Sequence, residues 1–144
     1  QEEIKKKLIL KNWNLLDQEY LIIGDYYQFG TGDLIFKKDN KILIVECKHI
    51  NFNESGRNYR CKRTKARKKV KEQSIYYSAC AKLKYRDCII IGSTYTNESQ
   101  LKITCKLNDL QKARNIFEIN FKKQHKKSFF NKEIIKELKK FIKI

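Results

Sequence analysis

At 144 residues the chain is long enough for one domain with its own core and too short for two. Its 33 Lys and Arg against 16 Asp and Glu leave a net charge of +17, a self-repulsion that a polyanion would relieve, so nucleic acid leads as partner. No apolar run approaches the roughly 20 residues that span a bilayer, which excludes a membrane partner, and Leu8-Ile9-Leu10 is too short for the core of a secretory signal.

Ile4 and Leu8 at helical spacing, with Glu2/Lys6 and Glu3/Lys7 as i,i+4 pairs, predict a short helix over residues 2–11, ended by the Asn-rich stretch around Trp13. Glu19 to Tyr26 is rich in β-forming residues and predicts a first strand, with Asp25 near its end. Gly30-Thr31-Gly32 then turns the chain into two apolar runs, Gly32 to Phe36 and Lys41 to Lys48, separated by Lys37-Lys38-Asp39-Asn40. That pattern predicts a β-hairpin with Asp39-Asn40 as the turn. Pairing then sets Lys38 opposite Lys41, Phe36 opposite Leu43 and Asp33 opposite Glu46. Leu34, Phe36, Leu43 and Val45 share one face, and Ile35, Ile42 and Ile44 the other. A strand pair apolar on both sides belongs in the middle of a domain.

Asn53-Glu54-Ser55-Gly56 reads as a loop. Residues 57–71 carry nine basic side chains and no acidic one. They run into Glu72 to Leu83, whose small and apolar residues predict a helix packed on a sheet, with Thr64 as a candidate N-cap. Cys88 to Gly92 predicts a buried strand parallel to an earlier one, because a helix intervenes. Leu101 to Leu107 alternates as a half-exposed strand does. Asn108 with Gln111 has the form of a capping box for a helix through about Phe117, and Asn131 caps a last helix. The five cysteines, Cys47, Cys61, Cys80, Cys88 and Cys105, are odd in number and form no Cys-x-x-Cys pair. They read as reduced thiols of an intracellular protein, cytoplasmic or nuclear and not secreted.

The expected pairing makes Asp33 and Glu46 cross-strand neighbours, with Lys48 projecting from the same face. Two carboxylates so placed repel, and a hard divalent cation between them would remove the penalty. Gly32-Asp33 followed by Glu46-Cys47-Lys48, within the order αβββαβ, resembles the PD-(D/E)XK nuclease superfamily over roughly residues 1–95. Holliday junction resolvases and RecB-type and VRR-NUC nuclease domains belong to it. The proline that names the motif is replaced here by Thr31-Gly32 ahead of Asp33.

The resemblance implies an α/β, restriction-endonuclease-like fold. One domain of 144 residues would hold a central mixed sheet flanked by helices, extended after about residue 95 by a strand and helices. It implies a metal-dependent DNA endonuclease, possible selectivity for DNA structure included, using Mg²⁺ or Mn²⁺, with DNA ahead of RNA as substrate. Asp33 and Glu46 would hold the metal, joined by the backbone carbonyl of Cys47. Lys48 would position or activate the attacking water. Gln73 would assist from the following helix and spells Gln-x-x-x-Tyr with Tyr77, while Glu3 (or Glu2) would be the additional acid from the first helix.

Arg57, Arg60, Lys62, Arg63, Lys65, Arg67, Lys68 and Lys69, with Tyr77, would contact the nucleic acid. His49, by alternation, turns away from Lys48, and His125 carries no signal. The plainer alternatives are a salt-bridge cluster at a strand end for Asp33, Glu46 and Lys48, ordinary helix packing for Gln73 and Tyr77, i,i+4 pairing for Glu2 and Glu3, and a solvated face for the basic run. At the level of function the alternative is a non-cleaving, nuclease-fold DNA- or RNA-binding subunit of a larger assembly. A homodimer would suit double-strand or junction cutting.

Overall fold

The computed structural model describes residues 1–21 and 31–124. Among these the order is α1 (Glu2–Leu10), β1 (Asn14–Leu21), β2 (Thr31–Lys38), β3 (Lys41–Lys48), α2 (Arg57–Lys84), β4 (Ile89–Thr96), β5 (Leu101–Leu107) and α3 (Leu110–Gln124). The five strands form one sheet in the order β1-β2-β3-β4-β5. All neighbours pair antiparallel except β3 and β4, which are parallel because α2 carries the chain back between them. The fold is therefore α/β, a mixed sheet flanked by helices. The expected helix capped by Asn131, and the positions of Asp25 and His125, lie outside the described residues.

The hairpin register is the expected one, running from Lys38 opposite Lys41 through Phe36 opposite Leu43 to Leu34 opposite Val45. Asp39 takes φ 55°, a left-handed conformation that Asp tolerates and this tight turn requires. Alternation sorts the apolar residues to two cores. Leu34, Phe36, Leu43 and Val45 meet Ile4 and Leu8 of α1 on one side; Ile35, Ile42 and Ile44 meet Tyr76, Tyr77, Ala79 and Cys80 of α2 and Phe117 of α3 on the other. Burying Ile4 and Leu8 is worth about 1.5–3 kcal/mol each, and this anchors α1, whose first turn has no side-chain cap.

Several boundaries differ from expectation. The first strand starts at Asn14 and not at Glu19. Its early residues mix Leu15 and Leu16 with Asn14, Asp17 and Gln18 and carry little β preference, but pairing with β2, Asn14 opposite Lys37, recruits them. Residues 22–26 of the expected strand lie outside the described residues. The basic run is not a lead-in to a helix: it is the first half of α2, which begins at Arg57 after Gly56. Thr64 is therefore no N-cap, and its hydroxyl instead donates to the Arg60 carbonyl one turn back, at 3.0 Å. Lysine and arginine are good helix formers, which outweighs their mutual repulsion.

Val70 is the first buried residue of α2, so the 13 positions before it, about 20 Å of helix, stand proud of the core. At the other end, buried Lys82 donates to the carbonyls of Arg86 and Cys88, both at 2.7 Å, and ties the helix exit to β4. The cap of α3 is Asp109, whose carboxylate accepts from Gln111 N at 2.9 Å, one residue after the expected Asn108. That helix runs past Phe117 to Gln124. All five cysteines are free thiols. Among the described residues no helix is long and apolar enough to cross a membrane.

Candidate active site

The sheet brings Asp33 and Glu46 together where β2 begins and β3 nears its end. One step beyond the Leu34–Val45 pair, the Asp33 N–H donates to Glu46 Oε1 at 3.2 Å, and Asp33 Oδ2 accepts from Cys47 N at 2.7 Å. Asp33 Oδ1 accepts from the Gln1 side chain at 3.2 Å. Both carboxylates follow the face of Ile35 and Ile44, toward α2. Glu46 is 3% exposed, whereas Asp33 is half-buried.

Burial, and then the charge of Asp33, push the Glu46 carboxyl up to about 9, so in the metal-free protein it is neutral at pH 7. The same two causes raise the Cys47 thiol to about 12. Tyr77 is core-packed beside the pair, its phenol raised to about 12 by burial and by Glu46. A side chain so covered offers no face to a nucleobase, which departs from its expected contact role. Gln73 lies one helical turn before it, half-buried on the same side of α2.

Gly32, which precedes Asp33, has a steric reason. A Cβ there would collide with the Tyr20 ring, the cross-strand partner of Gly32. Glu19 takes φ 48° within β1 just before Tyr20, and the Tyr20 ring joins the α2-side core. Its hydroxyl is buried without a hydrogen-bond partner among the described residues, and burial followed by the charge of Glu46 holds its pKa well above the usual phenol range. Neither Tyr20 nor Gln1 carries a sequence signal, since both reach the carboxylates through strand and helix placement.

Lys48 is exposed at the end of β3, opposite Thr96 of β4. With Gln1, Glu3, Cys47, His49, Tyr95 and Asn97 it lines a cleft of about 390 Å³. His49 thus shares the cleft of Lys48 and does not turn away from it, because β3 ends at Lys48 and strand alternation stops there. Asn97 fixes the chain just beyond: its side-chain amide donates to the Ile50 carbonyl at 2.8 Å and accepts from Ile50 N at 2.9 Å. Glu3 reaches this cleft, but its carboxylate pairs with Lys7 at 3.1 Å, and that contact holds its pKa below the usual carboxylate range. Glu2 pairs with Lys5 at 2.9 Å and not with the expected Lys6.

Arg57, Arg60, Lys62, Arg63, Lys65, Arg67, Lys68 and Lys69 all lie on the projecting half of α2. They do not act alike. The Arg63 guanidinium donates to the Glu54 carbonyl at 2.9 Å and covers Phe52, while Arg67 pairs with Glu98 at 3.1 Å. Among the described residues Arg57, Arg60, Lys62, Lys65, Lys68 and Lys69 carry no such tie to an acid or a carbonyl. Among the described residues no three His, Cys, Asp or Glu side chains converge on one point. The oxygen donors at the carboxylate pair are Asp33, Glu46 and the backbone. Such a set suits a hard cation, which favours oxygen ligands and would offset the burial and the repulsion that raise Glu46. No protein-family model, curated protein or solved structure matches this chain.

Proposed function

We propose that the protein is a Mg²⁺-dependent nuclease of the PD-(D/E)XK type, acting on DNA. The observation that carries the reading is the contact of Asp33 with buried Glu46 at the ends of the interior strands β2 and β3, two residues ahead of Lys48 and beside a projecting basic helix. Asp33, Glu46 and the Cys47 carbonyl would hold the cation, with Mn²⁺ able to substitute. When bound, it would supply positive charge to the scissile phosphate and acidify a coordinated water.

The chain's own groups supply the rest. The Cys47 N–H fixes one oxygen of Asp33 and leaves the other toward Gln1, so the carboxylate is oriented before any ligand arrives. Lys48, exposed at the strand end, would place an ammonium against the attacking oxygen and the charge that develops on the phosphoryl group. Gln73, from α2, would hydrogen-bond the water or the phosphate, and Tyr77 would act as packing that keeps Glu46 dry. The exposed cations of α2 would hold the backbone of the nucleic acid. This arrangement fits a restriction-endonuclease-like core.

The test is a panel of linear, nicked, flap and four-way DNA, with RNA counterparts, incubated with and without Mg²⁺ or Mn²⁺. Metal-dependent cutting is expected, abolished in Asp33→Ala and Glu46→Ala while binding persists. A Glu46→Ala variant that cuts as well as the parent would place the chemistry elsewhere. Tight binding with no cutting of any substrate would favour a non-cleaving nucleic-acid-binding subunit.

A further inference from the structure

A second concavity lies on the α2 side of the sheet, toward β5. The cross-strand row that contains Glu46 continues to Thr94 of β4 and then to Lys102 of β5. Here α2 passes over the β4–β5 hairpin and leaves a cleft of about 430 Å³, a volume typical of small-ligand sites. Arg67, Lys68, Lys71 and Lys102 line it, with the hydroxyls of Thr94, Thr96 and Thr104. Glu98 is the single carboxylate among the lining residues. Thr104 is fixed from behind by its 2.7 Å hydrogen bond to Ser74.

Four cations around one carboxylate make an environment short of negative charge, while the Thr104 hydroxyl donates to Ser74, whose own proton goes to the Lys71 carbonyl. Arg67 is already positioned, between Glu98 at 3.1 Å and the ring of Phe52 at 5.8 Å. A phosphate carries more acceptor oxygens than a carboxylate and spreads them tetrahedrally, so it can accept from guanidinium and ammonium groups on several sides at once. A merely solvated lysine face would be convex and would not share hydroxyls across two strands.

We propose that this cleft is a phosphate-binding subsite for a nucleic-acid strand. Arg67, Lys71 and Lys102 grip a backbone phosphate, and Glu98 competes for Arg67 until the strand arrives. The inference rests on the nucleic-acid reading above and deepens it. It places a phosphate contact on the β5 flank, two strands from Glu46, where Arg67 of the projecting half of α2 meets Lys71 and Lys102.

The experiment uses the full chain in EDTA, so that cutting plays no part. Binding of a fluorescein-labelled 20-base-pair duplex is followed by anisotropy against NaCl for the parent, Lys71→Ala/Lys102→Ala, Glu98→Gln and Lys41→Ala. Lys41 is exposed at the far end of β3 and serves as a charge control. In parallel, amide shifts of the parent are followed during titration with inorganic phosphate. The double variant is expected to bind roughly five- to tenfold more weakly near 0.1 M salt, and to lower the salt slope by about 0.9 for each phosphate that it no longer neutralises. Glu98→Gln should bind about two- to fivefold more tightly, and Lys41→Ala should stay within about twofold of the parent.

Equal losses in the double variant and Lys41→Ala, or an unchanged slope, would overturn the subsite. If the parent binds no duplex yet phosphate shifts the amides of Thr94, Thr96, Lys102 and Thr104, the nucleic-acid reading fails and the anion site stands. If neither ligand binds, the subsite falls as well. Duplex binding that depends on the cleft, without cutting when Mg²⁺ is added, would leave the subsite standing and remove only the nuclease reading.

Discussion

Glu46→Gln should stabilise the metal-free protein, and the gain should grow with pH. The carboxyl has a pKa of about 9 when folded against 4.5 for an unperturbed side chain. Below pH 4.5 both states hold the proton and stability is unaffected. Above it the unfolded chain releases a proton that the folded one keeps, so stability falls as pH rises, until the folded group itself ionises near 9. At about 1.4 kcal/mol per unit, this one group removes about 3.5 kcal/mol by pH 7 and about 5 kcal/mol by pH 8.

Glutamine keeps the oxygen that accepts the Asp33 N–H and does not titrate. Its amide N–H also replaces the donor that neutral Glu46 turns toward the Asp33 carboxylate. Urea denaturation in EDTA at pH 5, 6, 7 and 8 reads the difference between parent and variant directly, because other titrating groups cancel. The expected gap is under about 1 kcal/mol at pH 5 and widens by more than about 1 kcal/mol per unit. A gap equal at pH 5 and pH 8 would refute both the burial of Glu46 and its coupling to Asp33. Under the proposed function, Mg²⁺ should narrow the gap at pH 8 by favouring the ionised parent.

Gly32→Ala should cost about 1–3 kcal/mol through collision with the Tyr20 ring, and most of the loss should vanish in a Tyr20→Ala background, as a double-mutant cycle by denaturation would show. Additive losses would mean that the two residues do not touch. Lys82→Ala should leave the Arg86 and Cys88 carbonyls without their buried donor, costing about 2–3 kcal/mol and lowering Tm by about 6–10 °C in calorimetry. If the basic half of α2 holds nucleic acid, Arg60→Ala/Lys65→Ala/Lys69→Ala should flatten the salt dependence of duplex binding by up to about 0.9 per residue without moving Tm by more than about 2 °C.

The hairpin was the legible part of this chain. A turn of Asp39-Asn40 between two apolar runs leaves one register that buries both faces, and a one-residue slip would send every side chain to the opposite side. From that local constraint alone Asp33 arrives beside Glu46. The parallel pairing of β3 with β4 was equally readable, because a long helix between two apolar runs leaves little else. Strand β1 was less so: its polar residues are recruited by an edge of β2 that no periodicity announces. The ionisation of Glu46 was half legible: its repulsion by Asp33 follows from the register, but the larger cause, burial, depends on segments distant in the chain closing over it.

Helix α2 shows why charge and chemistry resisted separation in the sequence. Its composition changes abruptly near Val70, and with Thr64 as the candidate cap the expected helix begins inside the basic run and not at Arg57. The backbone does not register the change, because lysine and arginine propagate a helix nearly as readily as alanine does. One rigid element therefore does two things. Its second half covers Glu46 and sets the carboxyl near 9, while its first half carries the cations of residues 57–69 beyond the sheet edge at a fixed distance from that carboxyl. A flexible basic loop would let the cations collapse onto Asp33 and Glu46 and neutralise them. The continuous helix prevents this, so the carboxylate pair is left to be neutralised by a proton or by a cation from solution.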